Sequence, residues 1–484
     1  MKLCEINERL ESGSLLLIIN KKGEFMAAKR RRKRYRLTEK GKIAAGVICA
    51  AFVLMGTLLF MLSEGYFEHT DPQIVRLVSV DATIPIYETS TSETPFTYVT
   101  ADNAYGADAA LISQSRHRYE IMLAGCRGWI KMENAELSEQ GYDYPSYYTV
   151  DERQNLIHMV STNLNEPIYM PIVLCTAPSW LKQGEIVYSY DGHYFYRSLD
   201  QYLADLNNRQ MSNSIHSIPF YNYYQYLPMH SATSLTGSQL NDWLNHEKAD
   251  YAAASVLADA GEAFIAAQQE SGCNALLIYA IAMNESRFGT SDFAVNRYNL
   301  FGYNAVDSNT AAADTYESVY DCLLTYTAAH LNWGFFDALD TRYHGSHLGD
   351  KGSGLNVMYA SDPYWGEKAA GYAYAVDSYY FSQDYNKYKI MIKTDTGAVN
   401  VRKDASTQIA AVSQLSSAVN MPVLVLEEIQ GESISGNSLW YKIQVDSVLD
   451  ENHELHEFNG VFIPYSLSNS IGYVHSQNFM PLLQ

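Results

Sequence analysis

Residues 274–305, NALLIYAIAMNESRFGTSDFAVNRYNLFGYNA, put one carboxylate where it could act as a proton donor. Helical spacing places Ile278, Ile281 and Ala282 on the face that also carries Glu285, seven, four and three residues before it. Gly272 ends the preceding helix, and Asn274 stands where an N-cap is needed. Glu285 therefore closes an apolar helix, and a Gly-containing turn follows at once. A carboxyl partly withdrawn from water there ionises less readily, and its pKa rises toward neutrality. Such a group keeps its proton near pH 7 and can pass it to a leaving oxygen. The bland alternatives are a solvated surface charge or an ion pair with Arg287 or Arg297. The neighbouring residues decide between these readings.

NESRFGTS (284–291) followed by NLFG (299–302) resembles the signature of glycoside hydrolase family 73. Those enzymes are endo-β-N-acetylglucosaminidases of bacterial peptidoglycan with a lysozyme-like, mostly α-helical fold. YNYYQYLPMHSATSLTGSQLNDWL (221–244) is similar to the family's entry segment, and GSGLNVMYASDPYWGEKAA (352–370) to its closing loop and last helix. Residues 303–318 resemble the mobile lobe beside the cleft, and the β-rich region ahead resembles the arrangement in LytB-type daughter-cell-separation glucosaminidases. Position by position, the resemblance implies Glu285 as general acid and Asn299 and Phe301 as lining of the glycan cleft. Tyr359 matches the active-site tyrosine, with Asp362 and Trp365 beside it, although Asp362-Pro363 equally suits a helix cap. The implied reaction is hydrolysis of N-acetylglucosaminyl-β-1,4-N-acetylmuramic acid bonds, with peptidoglycan glycan strands and stem peptides as partners.

Glycosidases commonly use a second carboxylate as base or nucleophile. Asp307, Asp314, Glu317 and Asp321 are candidates, and Glu317 is preferred. Alternatively the substrate's own N-acetyl group attacks, leaving the protein one essential acid. A catalytically silent wall-binding scaffold and a lytic transglycosylase are the rival functions. No cofactor or metal is expected. His344-Gly-Ser-His347 has no HExxH or third ligand beside it, and the chain carries no phosphate-binding Gly loop and no GxSxG elbow.

These residues need elements to hold them. Apolar residues recur at three- and four-residue spacing over 237–247, 252–271, 274–286, 317–334 and 364–381, which predicts one mostly helical domain over 220–385. Short strand patterns occupy 74–140 and 388–482, and each reads as an SH3-like β-barrel. Both close on Gly, an aromatic and an aliphatic residue, as Gly128-Trp129-Ile130 and Gly472-Tyr473-Val474. Residues 146–215 read as a small aromatic-rich β module. There Asp191-Gly192 predicts a hairpin carrying Tyr188, Tyr190, Tyr194 and Tyr196, which could stack on sugar rings or pack a core. The fold class is thus multidomain α+β.

Ahead of these lies a different region. Residues 43–62 are twenty uncharged, mostly apolar residues, long enough as a helix to span a bilayer. Nine basic side chains at 29–42 precede them, which predicts a basic cytoplasmic tail over 1–42, an uncleaved anchor and an extracellular body. Translation is expected to begin at Met26. Residues 1–62 hold 13 basic and 5 acidic side chains, leaving 21 basic and 49 acidic in the remainder. A body that acidic argues against nucleic acid as a partner. Cys126, Cys175, Cys273 and Cys322 would permit two disulfides, but their wide spacing favours buried thiols. Thirty-nine Tyr is unusual and requires a structural reason.

Overall fold

The computed structural model describes residues 17–19, 25–27, 73–79, 81–100, 108–139, 141–304, 313–457 and 463–482. The basic tail, the apolar 43–62 segment and Asp307 lie outside the described residues, apart from a short pairing of β1 (Leu17–Ile19) with β2 (Phe25–Ala27). Among the described residues no helix is long and apolar enough to cross a membrane. The chain divides into two units, residues 1–69 with 114–116, and 70–113 with 117–484. The second unit carries the helices, the larger sheets and Glu285.

Its first β region forms strands where the sequence places them. Strands β3 (Gln73–Leu77), β6 (Asp108–Gln114), β7 (Arg118–Leu123), β8 (Cys126–Lys131) and β9 (Ala135–Glu136) form a sheet in the order β8-β7-β6-β3-β9. A separate ribbon pairs β4 (Ile84–Ile86) with β5 (Thr97–Val99). A second sheet orders β10 (Tyr147–Val150), β11 (Asn155–Asn163), β12 (Ile168–Thr176) and β13 (Ile186–Val187) as β12-β11-β10-β13. Val75, Leu111, Ile121 and Ile130 of the first share one core with Leu156, Val160, Ile172 and Leu174 of the second.

The hairpin predicted at Asp191-Gly192 does not form. The Asp191 carboxylate accepts from Ser189 Oγ at 2.8 Å and from the backbone N–H groups of His193 and Tyr194 at 2.9 Å each. A side chain that takes those donors replaces a strand ladder with a turn. One bridge remains, Tyr188 to Tyr196, and helix α1 (Leu199–Asn207) follows within the stretch expected to be β. Tyr190 and Tyr196 are buried, so for this pair packing prevails over sugar stacking.

The helical region matches the 3.6-residue period closely. Helix α2 (Gly237–Glu247) starts on a Thr236/Gln239 capping box. After α3 (Ala249–Ala252) the chain turns through 253–260, and α4 (Gly261–Ser271) begins later than the periodicity predicts. The reason is steric. A Cβ on Gly261 would lie 2.0 Å from the Gly237 carbonyl oxygen, so the helix starts where two glycines let α2 and α4 touch. Then follow α5 (Ala275–Glu285), α6 (Asp292–Arg297), α7 (Val319–Leu324) and α8 (Trp365–Tyr379). Helix α7 runs on into a π-helical stretch, Thr325–Phe335.

The Tyr-rich run 221–226 explains part of the tyrosine count. All four phenols are buried, and each reaches a different element. Tyr221 donates to Asn420 at 2.9 Å, Tyr224 to Asp377 at 2.5 Å and Tyr226 to Asp350 at 2.6 Å, while Tyr223 accepts from the Tyr388 N–H at 3.3 Å. A buried ring with a polar tip fills volume and fixes a junction together.

The C-terminal strands fall where expected. Strands β14 (Ile390–Lys393), β15 (Val399–Arg402), β16 (Ala411–Leu415), β17 (Pro422–Ile434), β18 (Asn437–Gln444), β19 (Ile471–His475) and β20 (Phe479–Pro481) form one sheet, ordered β16-β15-β19-β18-β17-β14-β20. The two-fold Gly motif has a common physical cause. A Cβ on Gly128 would sit 2.4 Å from Ile86 Cγ2, and one on Gly472 2.3 Å from Val401 Cγ1. In each case a strand passes directly beneath a β-branched side chain. Cys126, Cys175, Cys273 and Cys322 are buried free thiols. Overpacking costs about 1–3 kcal/mol, so Gly128→Ala should lower the chemical-denaturation midpoint accordingly. An unchanged midpoint would show that the strand can shift to admit a methyl.

Candidate active site

The helix that carries Glu285 is fixed at its start by Asn274, whose Oδ1 accepts from the N–H groups of Leu276 (3.0 Å) and Leu277 (3.2 Å). Every residue from Ala275 to Met283 is buried, so α5 is apolar all round and forms the axis of the helical core. Glu285 is its last residue and partly reaches solvent. The next turn is strained. Arg287, Phe288 and Gly289 take φ values of 52°, 57° and 74°. For the two non-glycine residues this costs about 1–2 kcal/mol each.

Several contacts hold that turn. Ser286 Oγ donates to the Ala282 carbonyl at 2.5 Å and accepts the Gly289 N–H at 2.8 Å. From the 253–260 turns, Ser255 Oγ donates to the Phe288 carbonyl at 2.6 Å and the Val256 N–H to that of Gly289 at 3.1 Å. The Phe288 ring packs against Tyr251 and Tyr372 at 4.9 and 5.2 Å. The segment that fails to extend α4 is thus the clamp on the turn after the glutamate.

Around the carboxyl, the Trp365 indole N–H at the start of α8 donates to Glu285 Oε1. Tyr359 lies against that indole, ring centres 4.7 Å apart, and its hydroxyl accepts from Tyr326 at 3.1 Å. Tyr326, in the π-helical stretch, stacks on Phe301 at 3.6 Å with planes 10° apart. Burial raises the Glu285 carboxyl from the ordinary 4.5 to about 7, with the indole hydrogen bond opposing and the charge of Asp362 assisting. Burial, aided by the charge at Glu285, likewise holds the Tyr326 and Tyr359 phenols well above their usual range. The site therefore offers one protonated carboxyl beside neutral hydroxyls. That is an acid-catalytic arrangement.

The sequence-predicted residues divide. Glu285, Tyr359 and Trp365 come together, with Asp362 next to them. Asp362 accepts from Lys368 Nζ at 2.6 Å and from the Tyr364 N–H at 2.9 Å, so its carboxylate is already bonded, and its backbone turn leads into α8. Asn299 is buried and commits its amide to backbone: Nδ2 donates to the carbonyls of Tyr303 (2.9 Å) and Asp314 (3.1 Å), and Oδ1 accepts the Tyr303 N–H (2.9 Å). It holds the loop in place. Phe301, buried, acts through Tyr326. Glu317 is exposed and donates its N–H to Asp321, which lies in the first turn of α7. Asp314 accepts from the Asn304 amide at 3.1 Å. As for the ion-pair alternative, Arg287 is exposed and Arg297 donates to the Ala313 carbonyl at 2.7 Å.

Tyr326 is the site residue that the sequence pattern did not single out. Its signal was present, a polar-tipped aromatic three and four residues after the buried Leu323 and Cys322, but its partner Phe301 is known only from tertiary structure. His344 and His347 make no pair: His344 Nδ1 bonds the Arg342 carbonyl at 3.0 Å and His347 Nε2 the Ser353 hydroxyl at 3.2 Å.

Against known proteins, residues 261–378, α4 through α8, match the family model described as glucosaminidase, mannosyl-glycoprotein endo-beta-N-acetylglucosaminidase. This segment is a glucosaminidase domain. Two proteins of Streptococcus pneumoniae, strains TIGR4 and R6, each named "Putative endo-beta-N-acetylglucosaminidase", are 28% identical to this chain over 254 residues. The match takes in 52% of this chain and 33% and 31% of theirs, so the chain spans about a third of the length of these relatives. Crystal structures of S. aureus Autolysin E, free and with the disaccharide NAG-NAM, are 18% and 17% identical over 33% of this chain and 73% of theirs, at a TM-score of 0.25. Overlap that slight adds nothing to the geometry above.

Because Glu285 binds its proton more tightly folded than unfolded, the native state loses stability as pH rises from 4.5 toward about 7. Glu285→Gln carries no such penalty. Its thermal midpoint should equal the wild type's at pH 4 and exceed it at pH 8. A difference that does not change between the two pH values would remove the buried acid.

Proposed function

We propose that this chain is a peptidoglycan hydrolase that cleaves N-acetylglucosaminyl-β-1,4-N-acetylmuramic acid bonds, with Glu285 as general acid. One observation carries the reading: a carboxyl raised to about 7 at the end of a buried helix, bonded to Trp365 and flanked by Tyr359, inside a glucosaminidase domain. Glu285 gives its proton to the bridging oxygen as the bond to the anomeric carbon breaks. Asp362, whose charge helps raise the Glu285 carboxyl, is bonded to Lys368, and Glu317 is exposed. That favours a protein with one working acid, the substrate's N-acetyl oxygen attacking the anomeric carbon before water does, over Glu317 as a second carboxylate.

The names of the streptococcal relatives support cleavage on the N-acetylglucosaminyl side of the bond. Around this core we propose an N-terminal membrane anchor over 43–62, an extracellular body, and wall binding by SH3-like modules over 74–140 and 388–482. Tethering would confine cleavage to wall near the bilayer, which suits remodelling or cell separation. The charge of the body does not attract an anionic wall polymer, and nothing in the structure explains it.

Digestion of purified sacculi followed by mass spectrometry tests the reaction. Reducing N-acetylglucosamine ends are expected, anhydro-muramic ends would mean a lytic transglycosylase, and wall binding without cleavage would mean a scaffold. Glu285→Gln should bind sacculi and release nothing. The pH profile adds a separate check. Activity should fall as pH rises through about 7, where Glu285 loses its proton. Trp365→Phe removes a hydrogen bond that favours the ionised form, so that midpoint should move upward. A midpoint that stays put would detach the alkaline limb from Glu285.

A further inference from the structure

The loop that brings Tyr359 and Trp365 to the glutamate has little backbone hydrogen bonding of its own. From Asn356 to Pro363 its carbonyls are met largely by donors from other segments. Lys351, wholly buried, donates from Nζ to the carbonyls of Asn356 (2.7 Å) and Ala360 (2.6 Å). Thr97 Oγ1 on β5 donates to the Val357 carbonyl at 2.5 Å, and the Tyr98 hydroxyl to that of Met358 at 3.2 Å. Just past the strand, the Thr100 N–H donates to Ser361 at 2.8 Å. Asn356 Nδ2, within the loop, completes the set with Asp362 (3.2 Å) and Pro363 (3.0 Å). Seven of the eight carbonyls are satisfied this way, and the eighth belongs to Tyr359.

The donors from outside the loop come from two places. Three are on or beside β5, in a region whose strand pattern alone reads as a wall-binding attachment, 260 residues earlier in the chain. The fourth, Lys351, is a buried amine with no carboxylate within ion-pairing distance among the described residues; it sits 5.1 Å from the Tyr98 ring centre. An ammonium placed there is costly, and its burial lowers the Lys351 pKa to about 7. An apolar residue would fill the space without that desolvation. It would also leave two loop carbonyls without donors.

We infer that β5 and Lys351 are positioning elements of the active site: they set the 356–363 loop so that Tyr359 and Trp365 close on Glu285. The first β region is then part of the catalytic apparatus, whether or not it also binds wall. This rests on the reading of Glu285 as the acid. Displacing reacting groups by about 1 Å can cost up to a hundredfold in rate, so small losses of loop order should be visible in turnover.

The test uses the full chain with Thr97→Val and Tyr98→Phe combined, which removes two hydroxyl donors with little change of volume, and Thr97→Ser as the conservative control. Deuterium exchange is followed in peptides covering 355–365 beside turnover of a soluble glycan chain. The double variant should exchange faster in those peptides alone and lose about ten- to a hundredfold in kcat with KM little changed. Its alkaline pH midpoint should also move, because Trp365 loosens from Glu285. Thr97→Ser should behave as wild type. Unchanged exchange in 355–365 would overturn the brace irrespective of activity. Faster exchange with wild-type kcat and pH midpoint would overturn its role in positioning. If Glu285→Gln remained active, the acid assignment itself would fall, and the exchange result alone would decide whether the brace exists. Lys351→Met provides an independent arm, and wild-type exchange there would exclude the lysine from it.

Discussion

A carboxyl group at the end of a helix buried from Ala275 to Met283 is the constraint around which the rest of this protein is arranged. Each unit of raised pKa corresponds to about 1.4 kcal/mol of preference for the protonated form. The surroundings must supply that preference without satisfying the carboxylate too well. Apolar burial along α5 supplies it, and Trp365 is the hydrogen-bond donor that Glu285 finds among the described residues. A lysine or arginine in the place of Trp365 would hold the ionised form and remove the acid. The nearby ammonium of Lys368 is instead directed at Asp362.

Placing such a group correctly requires both ends of α5 to be fixed from outside. At its start, Gly272 is left-handed and a Cβ there would lie 2.6 Å from the Tyr465 ring, which in turn stacks on His230 at 3.7 Å. Asn332, from the π-helical stretch, bonds His230 at 3.0 Å and the Ser271 carbonyl at 2.8 Å. At its end, the Arg287–Phe288 strain persists because more contacts hold it than the backbone preference opposes. Helix α8 is anchored in the same manner. Glu367, two residues after Trp365, accepts from His158 at 2.8 Å and from Tyr148 at 3.3 Å, both on the second sheet.

How much of this was legible in the sequence depends on the range of the interaction. Asn274, the helix over 237–247 and the strands near 399–402 and 471–475 are set by caps and periodicity within a few residues, and they appear where the residues place them. Glu285 was legible because its own helix face buries it. The π-helical stretch was not, since three- and four-residue spacing looks alike whether or not the hydrogen bonds slip to the fifth residue. At Asp191-Gly192 a local competitor overrode the hairpin pattern. Asn299 was legible as part of a motif but not as a loop strut, because its partners at Tyr303 and Asp314 are backbone atoms that no side-chain pattern marks.

The same distinction separates a modular chain from an integrated one. Strand and helix periods read as beads in series, with a catalytic domain between attachments. Yet Tyr364, the residue before α8, is buried in a core with Val75 and Leu156 from both N-terminal sheets. Ile390 and Ile392 of the C-terminal sheet belong to the core that contains α5. Apolar surface shared in this way cannot be withdrawn from one region without exposing it on the other. The β regions therefore stabilise the geometry on which the acid depends, and a fragment trimmed to the 261–378 family match would keep Glu285, its helix and Lys351 but lose the β5 donors that help set the loop enclosing it.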